Sequence, residues 1–595
     1  MTGGPKLVAD ALVERLRGWH VEKLYGYAGD GINGLLGALG RAGNRPEFIH
    51  AVHEELASFM ATAHAKFTGE VGVCTATSGP GAIHLLNGLY DAKLDHQPVV
   101  AILGQQPGVA LGSGYLQEVD LAVLFKDVAS DFLGVMTHPA QLHHLVDRAF
   151  RVALERRAPT AIIIPQSVQE LPAPEGLPHE HGFQHSGIGY SAPRILPREE
   201  DLRRAAEVLN AGKRVALLVG AGALQATDEV IAVAETLGAG VAKALLGKAA
   251  VPDDLPFVTG SVGWLGTAAS NWMMQECDTL LMVGSSFPYT EYLPREGQAR
   301  GVQIDREAKT LSLRYPMEVP LVGDSTETLH ALLPLLERKT NTSWRQETEA
   351  RVAAWWEEAE RRAAQPAQPL NPQLVVSELS KRLPDDAILS GDSGTAAVWI
   401  ARNVRLRRGM KVSLSGGLAS MGSGVPYALA AKINFPDRLA VALVGDGAMQ
   451  MSGNAALLAV AQRWQTWADP RLVIVVFNNR DLNYVTWEQR VMGGTPRFGP
   501  SQNLFDFPFA RYAELLGLRG VRVDAPQGVA AAWDEALSAD RPVVLEAYVD
   551  ANVPTLPAEL RPGQRDHLEQ ALGQGDPDAV GVREQLILQG VTEKT

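Results

Sequence analysis

LAVALVGDGAMQMSGN, residues 439–454, is an apolar run that ends on a glycine–aspartate–glycine turn. A second apolar run, RLVIVVFNN at 471–479, ends on two asparagines. Near-continuous apolar runs that alternate with helical stretches are typical of parallel strands buried on both faces. Because ligands of such sheets bind beyond the carboxyl ends of the strands, the two polar ends are expected to share one crevice.

The chemistry of these two strand ends suits a metal ion bound to a diphosphate. Gly445 and Gly447 allow a tight turn and close approach of a ligand to the backbone. A helix that begins near Ala448 directs its free N–H groups to the same place, which favours an anion. Three oxygen ligands of the kind that Mg²⁺ takes are available: the Asp446 carboxylate, the Asn479 amide oxygen and a main-chain carbonyl at about Asp481.

The rest of the chain repeats the same alternation of strands and helices in three blocks. A chain of 595 residues is too long for one hydrophobic core. Segments 166–200 and 338–372 have the composition of linkers. The predicted fold class is α/β, with three tandem doubly wound parallel-sheet domains at 1–180, 195–345 and 373–555, followed by a tail at 556–595.

Composition excludes several classes of protein. The formal net charge of −13, without a basic block, argues against a nucleic-acid surface. Two isolated cysteines, Cys74 and Cys277, make neither a disulfide framework nor a zinc site, so the expected compartment is the cytoplasm. No apolar run approaches the roughly 20 residues of a membrane span.

Segments outside the two strand ends carry a resemblance to a known family. Residues 49–92, which contain HEE at 53–55 and TSGPG at 77–81, and the segments SGDSGTAAVW (390–399) and GGLASMGSGVPYALAAK (416–432) complete the pattern. Together with GDGAMQMSGN and FNNRD they resemble the thiamine-diphosphate-dependent enzymes of the pyruvate oxidase and acetolactate synthase family. The interval from Asp446 to Asn479, 33 residues, is several residues longer than usual, and we interpret the excess within 462–472 as a surface insertion.

The resemblance assigns roles around thiamine diphosphate and Mg²⁺. Glu54 would be the glutamate that hydrogen-bonds the aminopyrimidine and promotes the imino tautomer that activates the cofactor. Met421 would prop the cofactor into its bent form. Residues expected near the diphosphate and thiazolium are Ser393, Gly394, Thr395, Gly445, Asp446, Gly447, Ala448, Asn479, Leu482 and Asn483.

The middle block is similar to the flavin domain of bacterial pyruvate oxidases, closest to the quinone-reducing type. RVALLVGAGAL at 214–224 ends a strand on a glycine-rich turn, and GVQID at 301–305 ends another on a carboxylate that suits a ribose diol. The resemblance implies FAD, held near Gly220, Gly222, Gly263, Gly266, Gly284, Phe287, Asp305 and Asp324.

Two further segments resemble walls of the substrate pocket, ALGSGYLQEVDLAVLF (110–125) and RDLNYVTWEQR (480–490). Leu116 stands where the oxidases carry an aromatic residue. Trp487 lies close to a position where a tryptophan of acetolactate synthases helps to choose the second ketoacid. The residues implied in the pocket are Leu116, Gln117, Tyr484, Val485, Trp487 and Glu488.

Two activities therefore remain open. In an oxidase, pyruvate or another 2-oxoacid loses CO₂, two electrons pass to FAD and on to a quinone or other acceptor, and acetate is released. In an acetolactate synthase, two pyruvates are joined and FAD is structural. The resemblance also implies a homodimer or homotetramer with sites between subunits. The tail, interrupted by GDPDAVG at 575–581, leaves peripheral contact with the inner membrane face open.

Overall fold

The computed structural model describes residues 5–591 and contains three six-stranded sheets whose neighbouring strands all run parallel. The first sheet consists of β1 (Lys23–Gly26), β2 (Glu47–His50), β3 (Gly72–Ala76), β4 (Val99–Gln105), β5 (Leu133–Val135) and β6 (Pro159–Pro165). Their order across the sheet is β2-β1-β3-β4-β6-β5. Its helices are α1 (Val8–Gly18), α2 (Asn33–Arg41), α3 (Glu54–Thr68), α4 (Pro80–His84), α5 (Leu86–Leu94), α6 (Leu121–Leu124), α7 (Leu142–Arg156) and α8 (Gln166–Gln169).

The second sheet has the order β12-β11-β10-β7-β8-β9. Its strands are β7 (Val215–Val219), β8 (Gly240–Lys243), β9 (Val258–Ser261), β10 (Thr279–Val283), β11 (Arg300–Asp305) and β12 (Val319–Val322). Helices α9 (Glu199–Ala211), α10 (Thr227–Thr236), α11 (Ala268–Glu276) and α12 (Ser325–Leu332) accompany it. The long helix α13 (Ser343–Ala363) then leads to the third block.

The third sheet has the order β14-β13-β15-β16-β18-β17. Its strands are β13 (Ile388–Gly391), β14 (Lys411–Ser413), β15 (Ala440–Gly445), β16 (Leu472–Asn478), β17 (Arg519–Val523) and β18 (Val543–Tyr548). The helices are α14 (Pro372–Arg382), α15 (Thr395–Asn403), α16 (Gly424–Asn434), α17 (Asp446–Ala448), α18 (Asn454–Arg463), α19 (Asn483–Gly493), α20 (Gly499–Gln502), α21 (Phe509–Leu515) and α22 (Val529–Ser538). Two more helices, α23 (Pro562–Gly573) and α24 (Ala579–Leu588), follow the last strand.

The central strands explain why the sequence forms these sheets. β4, β15 and β16 consist largely of branched apolar residues, and nearly every residue is buried, as both faces of a covered parallel sheet require. The predicted α/β class with three doubly wound parallel sheets is confirmed. Among the described residues, no helix is both long and apolar enough to cross a bilayer.

The first and third blocks share one hydrophobic core. Helix α3, which begins at Glu54, packs along α16, and residues of both helices belong to the same buried cluster. Helix α16 begins just after Met421, so this packing places the start of α3 near the loop that precedes α16. The candidate site is therefore supported by a rigid core and not by surface loops alone.

Candidate active site

The two polar strand ends that open the sequence argument meet in the structure. β15 and β16 are neighbours, and Gly445 pairs with Phe477 in their register. The Asp446 carboxylate accepts hydrogen bonds from the main-chain amides of Gly447 at 2.9 Å, Asn479 at 3.0 Å and Arg480 at 2.5 Å. One buried carboxylate therefore joins both strand ends, and burial raises its pKa to about 7.

Asn479 and Asp481 complete this group, which we call the metal loop (445–448 and 479–481). The Asn479 side-chain oxygen accepts from the Asp481 amide at 3.0 Å. The Asp481 carboxylate faces elsewhere and accepts from Thr486 Oγ1 at 3.0 Å and Arg497 Nε at 3.1 Å. Among the described residues, no donor contacts the main-chain carbonyl of Asp481. A carboxylate, an amide oxygen and a free carbonyl are a donor set that fits Mg²⁺.

The glycines of the metal loop leave space on one side and close contact on the other. A Cβ at Gly445 would meet nothing within 4 Å, so the backbone is open to a ligand there. A Cβ at Gly447 would lie 2.7 Å from Leu482 Cδ2 and 3.2 Å from Met421 Cε. Only glycine lets these two apolar side chains approach the turn. The chain continues as a π-helical turn, Met449–Gly453, a form that occurs often at functional sites.

The third strand end at this edge is organised by Asp392, which the sequence argument missed. Its fully buried carboxylate accepts from the amides of Ser393 at 2.8 Å, Gly422 at 2.9 Å and Gly424 at 2.8 Å. Burial raises the pKa of Asp392 to about 6. Ser393 Oγ also donates to the Ser420 carbonyl at 3.0 Å. The segment SGDSG contained the signal, a carboxylate at the end of a buried strand.

The diphosphate-side residues named from the sequence lie together as a result. Gly394 has φ +101° and its surroundings are open, with Tyr484 Cβ 3.9 Å from an added Cβ. Thr395 begins α15 directly after it. Asp392 holds Ser393 against the loop that carries Met421, and Met421 reaches the metal loop at Gly447. The structure thus brings these predicted residues to one edge of the third sheet.

Glu54 is the first residue of α3, and its side chain is largely buried. Its Oε2 lies 3.1 Å from Nδ1 of His84, and the His84 ring stacks on His53 with centroids 4.6 Å apart. His53 Nδ1 accepts from the Glu55 amide, which requires that nitrogen to be unprotonated. With Nδ1–H of His84 donating to the carboxylate, His84 fixes the orientation of Glu54. Sequence reasoning treated His84 as a structural residue, because a lone histidine gave no pairing signal.

A polar bridge joins the Glu54 helix to the Met421 loop within one chain. Asn87 Nδ2 donates to Glu55 Oε1 at 2.5 Å and to Ser420 Oγ at 2.9 Å. No hydrogen bond joins Glu54 itself to the metal loop among residues 5–591. Within one chain, therefore, the two halves of the site are neighbours through Asn87 and Ser420 and are not in direct contact.

The predicted pocket residues occupy different environments. Tyr484 is partly buried on the first turn of α19, and burial raises its pKa. Leu116 is 75% exposed on its loop, and Val485 is 49% exposed. Gln117 has φ +60° and lies against Gly79 of the TSGPG segment. Partial burial raises the pKa of Glu488.

Trp487 and Asn483 face away from the open side of α19. Trp487 is 1% exposed, donates from Nε1 to the Ala551 carbonyl at 3.2 Å and packs against the C-terminal helices. Asn483 Nδ2 donates to the same carbonyl at 2.8 Å and to the Asp481 carboxylate at 3.1 Å. The structure places both residues in the support of the helix, whereas the sequence pattern suggested contact with cofactor or substrate.

The predicted flavin residues all lie at the carboxyl edge of the second sheet. They follow or end five of its strands, in the order Gly220 and Gly222 (β7), Gly263 and Gly266 (β9), Gly284 and Phe287 (β10), Asp305 (β11) and Asp324 (β12). Burial raises the pKa of Asp305. This is the edge at which open α/β sheets bind dinucleotides, and the carboxylate that ends β11 suits a ribose diol.

The glycines of this edge serve loop packing first. Gly222 N donates to the Gly284 carbonyl at 3.0 Å, and a Cβ at Gly222 would lie 2.7 Å from Gly284 Cα. Gly263 has φ +98°, and a Cβ there would lie 3.0 Å from the Phe287 ring. These contacts bring two backbones close together at the strand ends, so the residues present fit a dinucleotide lying across a low backbone surface.

Comparison with known proteins accounts for this arrangement. Three family models match, described as the N-terminal TPP-binding domain (residues 6–124), the central domain (202–332) and the C-terminal TPP-binding domain (392–547) of thiamine pyrophosphate enzymes. The chain is 35% identical over 560 residues, 94% of each chain, to the Bacillus subtilis protein YdaP, whose name describes it as thiamine pyrophosphate-containing.

Two relatives represent the two activities left open by the sequence. Pyruvate oxidase of Lactiplantibacillus plantarum is 29% identical over 93% of this chain and 90% of its own. The large subunit of acetolactate synthase isozyme 2 of Escherichia coli is 31% identical over 91% of this chain and 95% of its own. The three matched domains cover the metal loop, Glu54 and the edge of the second sheet. The chain belongs to the thiamine pyrophosphate enzyme family.

Proposed function

We propose that this chain is a thiamine-diphosphate-, Mg²⁺- and FAD-dependent 2-oxoacid oxidase that converts pyruvate to acetate and CO₂. The observation that carries the cofactor assignment is the convergence of the Asp446 carboxylate, the Asn479 amide oxygen and the free Asp481 carbonyl at two adjacent strand ends. When bound, thiamine diphosphate supplies a nucleophilic carbon that stabilises the charge left by loss of CO₂, and FAD supplies a two-electron acceptor.

The metal loop and its neighbours bind and orient the cofactor in this proposal. Asp446, Asn479 and the Asp481 carbonyl would hold Mg²⁺, which bridges protein oxygens to the diphosphate. Gly394 and Gly445 leave backbone open for the diphosphate, and Met421 with Leu482 forms an apolar shoulder beside Gly447. The shoulder excludes water from one side of the reacting centre.

Glu54 would hold and move a proton at the aminopyrimidine. Its buried carboxylate lies within 3.1 Å of His84 Nδ1, so the donor on one side keeps the other oxygen directed outward. A positioned carboxylate of this kind contributes about 10²- to 10⁴-fold to a proton-transfer step. Tyr484, Val485, Glu488 and the loop with Leu116 and Gln117 would line the space for the 2-oxoacid.

The placement of Trp487 favours the oxidase over the ligating alternative. The sequence argument kept the synthase open because a tryptophan near this position helps those enzymes to choose a second ketoacid. Here the indole is buried beneath the C-terminal helices, where it lines no room for a second substrate. Flavin-edge residues at five strand ends of the second sheet add support for FAD.

The acetolactate synthase reading remains the second candidate, because such enzymes match this chain over nearly its whole length. Product analysis separates the two. Incubation with pyruvate, Mg²⁺, thiamine diphosphate and a quinone or dye acceptor should give acetate in proportion to acceptor reduced. Acetolactate formation without acceptor reduction would establish the synthase instead.

Assembly and electron acceptor complete the proposal. Members of this family are generally oligomeric, and we propose a homodimer or homotetramer in which Glu54 of one subunit serves the metal loop of another. The acceptor would be a quinone or another two-electron acceptor. Mixed dimers of a Glu54→Gln chain and an Asp446→Asn chain test the shared site, since only subunit-spanning sites regain activity on mixing.

A further inference from the structure

The C-terminal segment (556–591) covers the helix that carries the pocket residues. Its apolar side chains pack with Trp487 and Val491 on the inner face of α19; they are Leu556, Leu560, Leu568, Leu572, Val582 and Leu586. The cover involves both α23 and α24. The segment therefore forms a wall of the candidate active site.

Buried ion pairs fix this segment to α19. Arg490 donates from Nε and Nη2 to the two oxygens of Asp576, each at 2.8 Å, and its Nη2 lies 3.1 Å from Asp578. The Arg490 and Asp576 side chains are at most 1% exposed. A bidentate pair in such a dry setting specifies one geometry of docking.

A second arginine extends the network to the metal loop. The Arg497 amide donates to Asp576 at 2.9 Å, and its guanidinium lies 3.5 Å from Asp578. The same guanidinium donates to the Asp481 carboxylate at 3.1 Å. Arg497 thus contacts the C-terminal segment and the metal loop at the same time.

Asp481 connects this network to the metal ligands. Its side chain is 2% exposed and held by Arg497, while its amide donates to the Asn479 side-chain oxygen. Its main-chain carbonyl is the free oxygen assigned above to Mg²⁺. Movement of the Asp481 side chain would therefore move two of the three proposed ligands.

The charges of the network also favour a cation. Three carboxylates, on Asp481, Asp576 and Asp578, meet two guanidinium groups, so the network carries one formal negative charge. A divalent cation bound a few ångströms away at the metal loop would offset that charge, and the offset is largest where water is excluded.

We propose that Arg497 is a positioning residue that couples docking of the C-terminal segment to binding of Mg²⁺ and thiamine diphosphate. The proposal rests on the cofactor assignment made above. Each event stabilises the other through the Asp481 loop, and by linkage the effect is equal in both directions. A segment that merely covers α19 would dock equally with or without the ligand.

Hydrogen–deuterium exchange of peptides from 562–588, with and without Mg²⁺ and thiamine diphosphate, tests the coupling. In the wild type we expect ligand binding to slow exchange of these peptides. In Arg497→Met we expect this ligand-induced protection to be lost and the cofactor Kd to rise about tenfold, within the range of allosteric couplings. Arg497→Lys, which keeps the charge, should recover part of both effects.

Two controls make the result specific. Arg583→Met breaks the exposed pair with Glu569 inside the same segment and should leave the ligand-induced protection at its wild-type value. Asp578→Asn, at a side chain that is partly exposed, weakens the same link if Arg497→Met fails to fold. Unchanged exchange in a cofactor-saturated wild type, or full protection in Arg497→Met, would overturn the coupling. Failure of the wild type to bind the cofactor at all would instead count against the proposed function.

Discussion

Asp446 Oδ2 lies 3.0 Å from the main-chain nitrogen of Asn479, across two neighbouring strand ends. The carboxylate that ends β15 is therefore held in place by the backbone that begins the next loop. This contact makes the metal loop a preformed structure, and a preformed site loses little free energy to ordering when its ligand binds.

Replacement of Asp446 by asparagine should remove metal-dependent cofactor binding. The substitution keeps the size of the side chain but removes the negative charge that Mg²⁺ requires. We expect Mg²⁺ affinity in the presence of thiamine diphosphate to fall by about 100-fold or more, measured by calorimetry. Asp540→Asn, at an exposed ion pair with Arg541, is the matched control and should bind normally. Wild-type affinity in Asp446→Asn would remove the metal assignment.

The affinity for Mg²⁺ should depend on pH through the same residue. Burial raises the pKa of Asp446 to about 7, so the proton competes with the metal for the carboxylate at neutral pH. Apparent affinity is then complete above this pKa and falls about tenfold per pH unit below it. The sign for the metal-free protein is opposite, because a raised carboxyl pKa favours the folded state as pH falls from 7 towards 4.

Thermal unfolding with and without Mg²⁺ and thiamine diphosphate between pH 5.5 and 8 would measure this dependence. The stabilisation by the ligands should grow with pH over that range. A stabilisation of equal size at both ends of the range would show that Asp446 does not titrate in competition with the metal.

Glu54→Gln should abolish turnover while the fold and cofactor binding persist. Glutamine can keep a contact with His84, but it cannot take up the proton that the aminopyrimidine exchanges. We expect kcat to fall by about 10²- to 10⁴-fold, with an unchanged Kd for thiamine diphosphate. Exchange of the reactive cofactor proton with solvent, followed by NMR, should slow in parallel. Normal exchange in this variant would reassign the proton transfer.

His84→Ala should act only through Glu54. Its loss leaves a largely buried carboxylate without its ring donor, at a cost of about 1–3 kcal/mol to the local structure. We expect kcat to fall about tenfold in the wild-type background and to change little in the Glu54→Gln background. Equal effects in the two backgrounds would assign His84 a separate role.

Arg490→Met should destabilise the C-terminal segment by about 3–5 kcal/mol, because it leaves Asp576 buried and unpaired. Combined replacement by Arg490→Met and Asp576→Leu should recover much of this loss, since an apolar pair of similar volume avoids the desolvation cost. Limited proteolysis after 556 as a function of urea measures the difference. Equal stability of single and double variants would contradict the buried-pair account.

Much of the fold and the centre of the site could be predicted from local sequence. The runs that end in Gly445 and Asn478 are apolar throughout, and parallel strands with such ends must place them at one edge. HEE at 53–55 and SGDSG at 390–394 each stand at the start of a helix or the end of a strand, where local signals are strong.

Long-range partners could not be predicted in the same way. Trp487 and Asn483 lie on a helix whose pattern does not state which face meets the cofactor, and the C-terminal segment decides it by covering one side. The apolar residues of that segment are split between two short helices, so neither gives a strong periodic signal. The Asp481–Arg497–Asp578 chain spans almost 100 positions in sequence, and only the tertiary structure brings it together.

The central claim is that electrons from a decarboxylated 2-oxoacid reach FAD at a site anchored by Asp446. Anaerobic mixing of the purified protein with pyruvate, Mg²⁺ and thiamine diphosphate, followed by flavin absorbance, tests it most directly. The account predicts that the flavin bleaches in a reaction that requires both Mg²⁺ and thiamine diphosphate and is lost in Asp446→Asn. A flavin that stays oxidised while pyruvate is consumed, or a protein that binds no flavin, would contradict it.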